Sequence, residues 1–227
     1  MFEPYYQDDW VTIYHGDCLE IMPELPKVDL VLTDPPFTFG LGSSISNTKL
    51  SNWNDLLNGA HFFKEVFKEI KKSTKTNFGC WVFNSWRSLP CLIKALCMAD
   101  LKIESLLIWY KDWIGPGGPK GLRPSYEVVA LICQGEWGLQ NRNIRDVQTF
   151  PWASYKPNHP AEKPLKLINW LISESNNPNL ILDPFLGSGT TCLAAKQLNR
   201  KSIGIEIEEK YCEIAAKRCS QEVLDFS

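Results

Sequence analysis

Two short clusters in the 227-residue sequence bring together side chains and backbone suited to chemistry. At Thr33-Asp34-Pro35-Pro36-Phe37 a carboxylate, two prolines and an aromatic ring follow one another. Each proline fixes φ and removes an N–H donor, so the local carbonyls are rigid acceptors beside one carboxylate. A planar amine held here finds two acceptors for its hydrogens and a ring to stack on. The plainer use of the same residues is a loop start with Asp34 as a cap. The second cluster, Leu180 to Thr191 (LILDPFLGSGTT), reads as a strand, a turn with Gly187 and Gly189, and a helix start. Such a helix N-terminus offers unpaired N–H groups and partial positive charge to an anion. Glu206 stands 17 residues beyond Gly189, close to the spacing at which an acid meets ribose hydroxyls. A nucleoside with an anionic end fits both features, and tight strand–helix packing is the structural alternative. A dinucleotide fingerprint calls for a third glycine where Cys192 stands, and a Walker loop calls for Lys after the second glycine.

Short apolar runs alternate with amphipathic stretches, which predicts a mostly parallel sheet covered on both faces. Strands are expected at Val11–Tyr14, Val28–Thr33, Phe78–Asn84, Glu104–Tyr110, Tyr126–Cys133, Leu180–Asp183 and Ser202–Ile207. Helices are expected at His61–Lys72, Leu89–Ala99, Ala161–Ser175 with Pro164 in the first turn, from the glycine turn to Leu198, and at Glu208–Cys219. Thr38–Gly59, Lys111–Pro124 and Gln134–Pro160 read as long loops of the kind that cover or bind ligands.

Composition bounds the possibilities. An apolar fraction of 44% and a charged fraction of 22% describe an ordinary globular chain, excluding disorder, collagen and coiled coil as a whole-chain description. Net charge is −2, so any contact with nucleic acid must use a local basic face. The longest apolar run, Val128–Cys133, is far short of a membrane span. The acidic start is no export signal. Eight cysteines without a C-x-x-C pair read as reduced thiols of a cytoplasmic protein, not as a zinc framework.

Together the two clusters resemble the amino-group DNA methyltransferases that use S-adenosylmethionine. Asp34-Pro35-Pro36-Phe37 is similar to that family's catalytic D-P-P-[YFW], and Phe185-Leu186-Gly187-Ser188-Gly189-Thr190 to its F-x-G-x-G-T. Catalytic before cofactor motif is the permuted order of the beta group. Gly16-Asp17-Cys18 resembles that group's adenine-binding acid, and His159-Pro160-Ala161-Glu162-Lys163-Pro164 its H-P-x-x-K-P segment. Trp109-Tyr110-Lys111 and Tyr126-Glu127-Val128-Val129 look like its later strands. The likeness runs from about residue 11 to 215. Phe37 departs from the commoner Tyr, and 134–158 is short for a target-recognition insertion.

The resemblance implies one Rossmann-like α/β domain over 1–227, with a mostly parallel seven-stranded sheet, helices on both faces and a permuted motif order. It implies an adenine-specific N6 DNA methyltransferase acting on a flipped base in double-stranded DNA, with Asp34, Pro35, Pro36 and Phe37 catalytic. S-adenosylmethionine is then held by Asp17, Cys18, Asp34, Lys163, Asp183, Phe185, Gly187, Ser188, Gly189, Thr190, Thr191, Glu206 and Ile207. No metal and no membrane are implied. A homodimeric copy and a cognate restriction endonuclease are the further partners. Lys49, Lys111, Lys120, Arg123, Arg142, Arg145 and Lys156 lie in the loops and are the expected phosphate contacts. Trp53, Trp113, Trp137 and Trp152 are expected toward DNA, and Trp81, Trp86 and Trp170 in packing. The lysines between Lys64 and Lys75 read as an exposed helix face. Cytosine N4 is the alternative target, disfavoured because that group more often has Ser in place of Asp34. A nicotinamide-dependent oxidoreductase would leave Asp34-Pro35-Pro36 unexplained, and a non-catalytic nucleic-acid-binding module would not need that motif intact.

Overall fold

A strand buried on both faces keeps apolar residues at consecutive positions, and its neighbours must then divide them between two cores. A computed structural model describes residues 2–36, 53–114, 120–152 and 162–221, with side chains from residue 59 in the helix that begins at Trp53. Phe37, Lys49, Lys156, His159 and Pro160 lie outside the described residues.

The strands are β1 (Tyr6–Gln7), β2 (Val11–His15), β3 (Val28–Thr33), β4 (Thr74–Asn84), β5 (Ser105–Tyr110), β6 (Tyr126–Gln134), β7 (Val147–Thr149), β8 (Leu180–Asp183) and β9 (Lys201–Glu206). The helices are α1 (Cys18–Ile21), α2 (Trp53–Ser73), α3 (Leu89–Met98), α4 (Leu165–Glu174), α5 (Thr190–Gln197) and α6 (Glu209–Ser220). The strands form one sheet in the order β1-β2-β9-β8-β3-β4-β6-β5-β7. From β2 to β4 every pairing is parallel, whereas β6 runs antiparallel to both β4 and β5.

Alternate residues of the central strands serve opposite cores. Val31, Cys80, Val82, Ala130 and Ile132 pack with α2 and α3. Leu30, Leu32, Trp81, Phe83, Val129 and Leu131 pack with α4 and α5. Among the described residues no helix is long and apolar enough to cross a membrane. All eight cysteines are free thiols.

The seven expected strands are present, with bounds mostly within one or two residues, and the short edge strands β1 and β7 bring the sheet to nine strands among the described residues. Helix α2 starts at Trp53, inside the stretch expected to be irregular. Asn58-Gly59 resembles a turn, but Leu56, Leu57, Ala60 and Phe63 continue the helical spacing. Strand β4 begins at Thr74, directly after α2, so Lys75 belongs to a strand and pairs with Asp29 at 2.6 Å. Helix α4 starts only at Leu165, because Pro164 caps it with an extended ψ of 127°. A residue preceding proline avoids the helical region, which keeps Lys163 out of the helix.

Two tryptophans exchange their expected roles. Trp137 is buried, and a Cβ placed on Gly79 would lie 2.2 Å from its ring. Trp86 is 57% exposed, with the Arg87 guanidinium 5.2 Å over its ring. Trp81 and Trp170 pack as expected, the first donating to Ser175 Oγ at 3.1 Å and the second against Phe150. Because the Trp137 ring fills the space a side chain on residue 79 would need, Gly79→Ala should destabilise the fold by about 1–3 kcal/mol. Urea unfolding checks this, and an unchanged midpoint would show that the ring moves aside freely.

Candidate active site

Parallel strands β2, β9, β8 and β3 deliver their C-terminal ends to one edge of the sheet. In spatial order these ends carry Asp17, Glu206, Asp183 and Asp34. Open α/β sheets bind ligands at this edge.

Asp17 is exposed and caps α1, accepting from Leu19 N at 2.8 Å. Cys18 turns inward instead, and burial pushes its thiol up to about 12. The thiol is core filler, so only the Cys18 backbone can face a ligand. Glu206 accepts from Gly187 N at 2.8 Å and from Glu208 N at 2.9 Å, which fixes the glycine turn against the end of β9. Each carboxylate oxygen has a further lone pair for a ligand hydroxyl. Ile207 is exposed beside them, and its carbonyl meets His15 Nε2 at 3.1 Å.

The glycine turn is built from beneath. Asp183 accepts from Phe185 N at 3.1 Å and from Thr191 Oγ1 at 2.6 Å. Burial pushes the Asp183 carboxyl up to about 7. Asp183 and Thr191 therefore shape the turn from below. Gly187 has φ +54°, and a Cβ there would meet nothing within 4 Å, so open space lies above the backbone. Gly189 caps α5 at φ +85°, where a Cβ would stand 2.7 Å from Ala215 Cβ. Arg218 Nη1 donates to Ser188 O and Ser188 Oγ at 2.8 Å each, and more weakly to Thr190 Oγ1 at 3.3 Å. Its Nη2 pairs with Glu162 at 2.8 Å. One guanidinium thus joins the glycine turn to the segment that carries Lys163.

At the end of β3, Pro35 is buried and Pro36 half-buried. Lys163 Nζ donates to Asp34 Oδ2 at 2.5 Å and lies 3.4 Å from Glu127 Oε2. Lys111 pairs with Glu127 Oε1 at 2.5 Å. Asp34 Oδ1 is buried and has no hydrogen-bond partner among the described residues. Burial pushes the Asp34 carboxyl above its usual range against the opposing pull of Lys163. Burial would also raise Glu127, but the Lys163 and Lys111 ammoniums outweigh it and hold that carboxyl low. Lys163, otherwise lowered by burial, is held high by Asp34 and Glu127.

The sequence matches the profile of the DNA methylase family over residues 28–217. The chain belongs to the N6/N4 DNA methylase family. The provisionally named methylase YubD of Escherichia coli (strain K12) is 30% identical over 210 residues, 89% of this chain and 87% of the relative. The DNA adenine methyltransferase YhdJ of the same organism is 29% identical, over 91% of this chain and 82% of its own length. A crystal structure of the M1.HpyAVI–SAM complex superposes with a TM-score of 0.72 at 27% identity, covering 93% of this chain and all of that one. PvuII DNA methyltransferase, described as cytosine-N4-specific, shares the fold with a TM-score of 0.81 at 20% identity, covering 99% and 92%.

The expected DNA contacts divide. Lys120, Arg123, Arg142 and Arg145 are exposed, as is Trp113. Lys111 is turned inward to Glu127, with its ammonium 4.3 Å over the Trp152 ring and 5.1 Å over Trp109, so it offers no charge to a phosphate. Trp152 is committed too, stacked on Trp109 with centroids 5.6 Å apart. Two residues of the site have no role in the motif reading: Glu127, which enters it only as part of a later strand, and Arg218. A charge at the head of the apolar run Val128–Cys133 is the signal for Glu127; Arg218 carries none, since its partners are distant in sequence.

Asp183 yields a test of its burial. Its carboxyl ionises near 3.8 when exposed and near 7 in the fold. Between these values the native state keeps a proton that the unfolded chain has lost, so this group's contribution to stability falls as pH rises and is constant above about 7. Relative to Asp183→Asn, wild-type unfolding free energy should therefore decline from pH 4 to 8, by about 1.4 kcal/mol per unit of pKa shift. Urea titrations at both pH values measure the difference, and a constant offset would mean that Asp183 is ionised in the fold.

Proposed function

We propose that the chain transfers the methyl group of S-adenosylmethionine to the exocyclic N6 of an adenine flipped out of double-stranded DNA. The observation that carries this reading is the Asp34 carboxylate, with Oδ2 held by Lys163 and buried Oδ1 left without a protein partner among the described residues. A buried acceptor of this kind is costly unless a ligand donor meets it. An amino group that donates to Oδ1 and to the rigid Pro35 carbonyl becomes more pyramidal, which resembles the transition state more than the ground state. A base within a duplex cannot reach such a pocket and must leave the stack, and Phe37 is its stacking partner in this reading.

The donor-side residues fit S-adenosylmethionine. Asp17 and Glu206 stand at adjacent strand ends as acceptors for nucleoside groups, and the space above Gly187 admits a ligand close to the backbone. The start of α5 suits the carboxylate end. When bound, S-adenosylmethionine supplies an electrophilic methyl on a cationic sulfur. Asp34 contributes by orientation and charge, holding the amine in line. Exposed Lys120, Arg123, Arg142 and Arg145 are the phosphate contacts of this reading, joined by Lys49 and Lys156, and residues 134–158 its target-recognition segment. The name of the relative YhdJ supports adenine over cytosine.

Asp34→Ala should abolish transfer while S-adenosylmethionine affinity in calorimetry stays near wild type, because the loss falls on the transition state. Digestion of the product DNA and mass spectrometry should show N6-methyldeoxyadenosine. N4-methyldeoxycytidine would reverse the choice of base, and neither product would overturn the reaction. Glu206→Ala should weaken S-adenosylmethionine binding by about 1.5–3 kcal/mol per lost charge-assisted bond. Unchanged affinity would remove Glu206 from the donor site.

A further inference from the structure

Lys163 is a buried ammonium between two carboxylates, and the reaction reading uses only Asp34. We propose that Glu127 is a positioning residue for methyl transfer, drawing Lys163 to one side of Asp34 so that Oδ2 stays engaged and Oδ1 stays open to the target amine. The inference rests on the amino-methyltransferase reading above. An ammonium with a single buried carboxylate as partner closes onto it and competes for both oxygens. A second carboxylate 3.4 Å away opposes that closure.

Glu127 can exert this pull because its own position is fixed. It pairs with Trp109 in the register of β5 and β6, and its Oε1 is held by Lys111. Lys111 is in turn immobilised over the Trp109 and Trp152 rings. Its backbone N–H donates to Ser125 O, and its carbonyl accepts from Trp152 N, at 2.9 Å each. Lys111, Glu127, Lys163 and Asp34 alternate in sign and sum to zero. A buried charge array is tolerable when balanced and costly when one member is lost.

The charged and titratable groups facing Asp34 are Lys163, Glu127, Lys111 and Asp183. Burial raises the Asp34 carboxyl, Lys163 lowers it, and Glu127 raises it again. With residue 127 neutral, Lys163 acts on Asp34 with less opposition, and Asp34 ionises at lower pH. The acid limb of the rate profile must then move to lower pH, which a merely structural residue would not cause.

The test compares wild type, Glu127→Gln and Glu127→Asp in single-turnover methyl transfer to a duplex that wild type methylates, from about pH 5 to about pH 9. Dissociation constants for the duplex and for S-adenosylmethionine are measured beside it. Glu127→Gln should be slower by roughly 10- to 100-fold, with both dissociation constants within about threefold of wild type. Its acid limb should lie at lower pH, and Glu127→Asp should recover part of the rate. A Glu127→Gln rate equal to wild type with an unmoved limb, or a loss explained by weaker binding alone, overturns the proposal. If Glu127→Gln fails to fold, the charge-balanced Glu127→Gln/Lys111→Gln variant takes its place: slow transfer supports the proposal and a wild-type rate overturns it. Absence of any methylated base from the wild-type reaction overturns the underlying reading as well, and is thereby distinguishable from failure of Glu127 alone.

Discussion

Four parallel strands that end together also bring their terminal carboxylates together, and like charges at one sheet edge repel. The site is organised around relieving that repulsion by a different device at each strand. Asp17 faces solvent and caps a helix start. Glu206 takes two backbone N–H groups, one from the glycine turn. Asp183 is buried with its carboxyl raised to about 7, under a hydroxyl and a backbone donor. Asp34 faces an ammonium. Among the described residues the Asp34 Oδ1 atom of this set is buried without a partner, and an unsatisfied acceptor beside a rigid proline pair is the kind of defect that folds keep for a ligand.

The strands were legible because burial on both faces leaves consecutive apolar residues such as Leu30–Leu32 and Val128–Cys133. The strand ends were legible for the same reason, and with them Asp17, Asp34, Asp183 and Glu206. Side-chain direction in the long loops was not. Lys111 read as a phosphate contact because a lysine in a polar loop faces water unless a buried carboxylate claims it, and Glu127 lies 16 residues further on. Trp137 and Trp86 changed places because Gly79 opens a slot for one ring, while among the described residues nothing buries the other. Asn58-Gly59 in α2 shows a local turn signal yielding to the apolar spacing around it.

The aromatic pair Trp109–Trp152 ties the catalytic edge to the later part of the chain. Phe150 N donates to Tyr110 O, the Trp109 indole donates to Phe150 O, and β7 pairs with β5. The ring face that accepts the Lys111 ammonium therefore comes partly from a segment read as pointing to DNA. A cation over a desolvated indole pair gains more than one in water, so Lys111 is held at the far end of the charge array without a second carboxylate.

The strand order carries a consequence for how this protein is made. β2 and β3, the first two parallel strands to leave the ribosome, have two places between them in the sheet, and these are filled by β8 and β9, the last two. Until residues 180–206 have emerged, β2 has no parallel neighbour and β3 has an unpaired flank, two open sheet edges on a nascent chain. The glycine turn emerges between β8 and β9, and its Arg218 clamp arrives later still. The permuted order therefore makes closure of the central sheet and assembly of the donor site late events in synthesis, dominated by contacts of long sequence separation and correspondingly slow. A ribosome stalled before β8 holds a chain that already contains Asp34, Glu127 and Lys163 but lacks the glycine turn and Glu206.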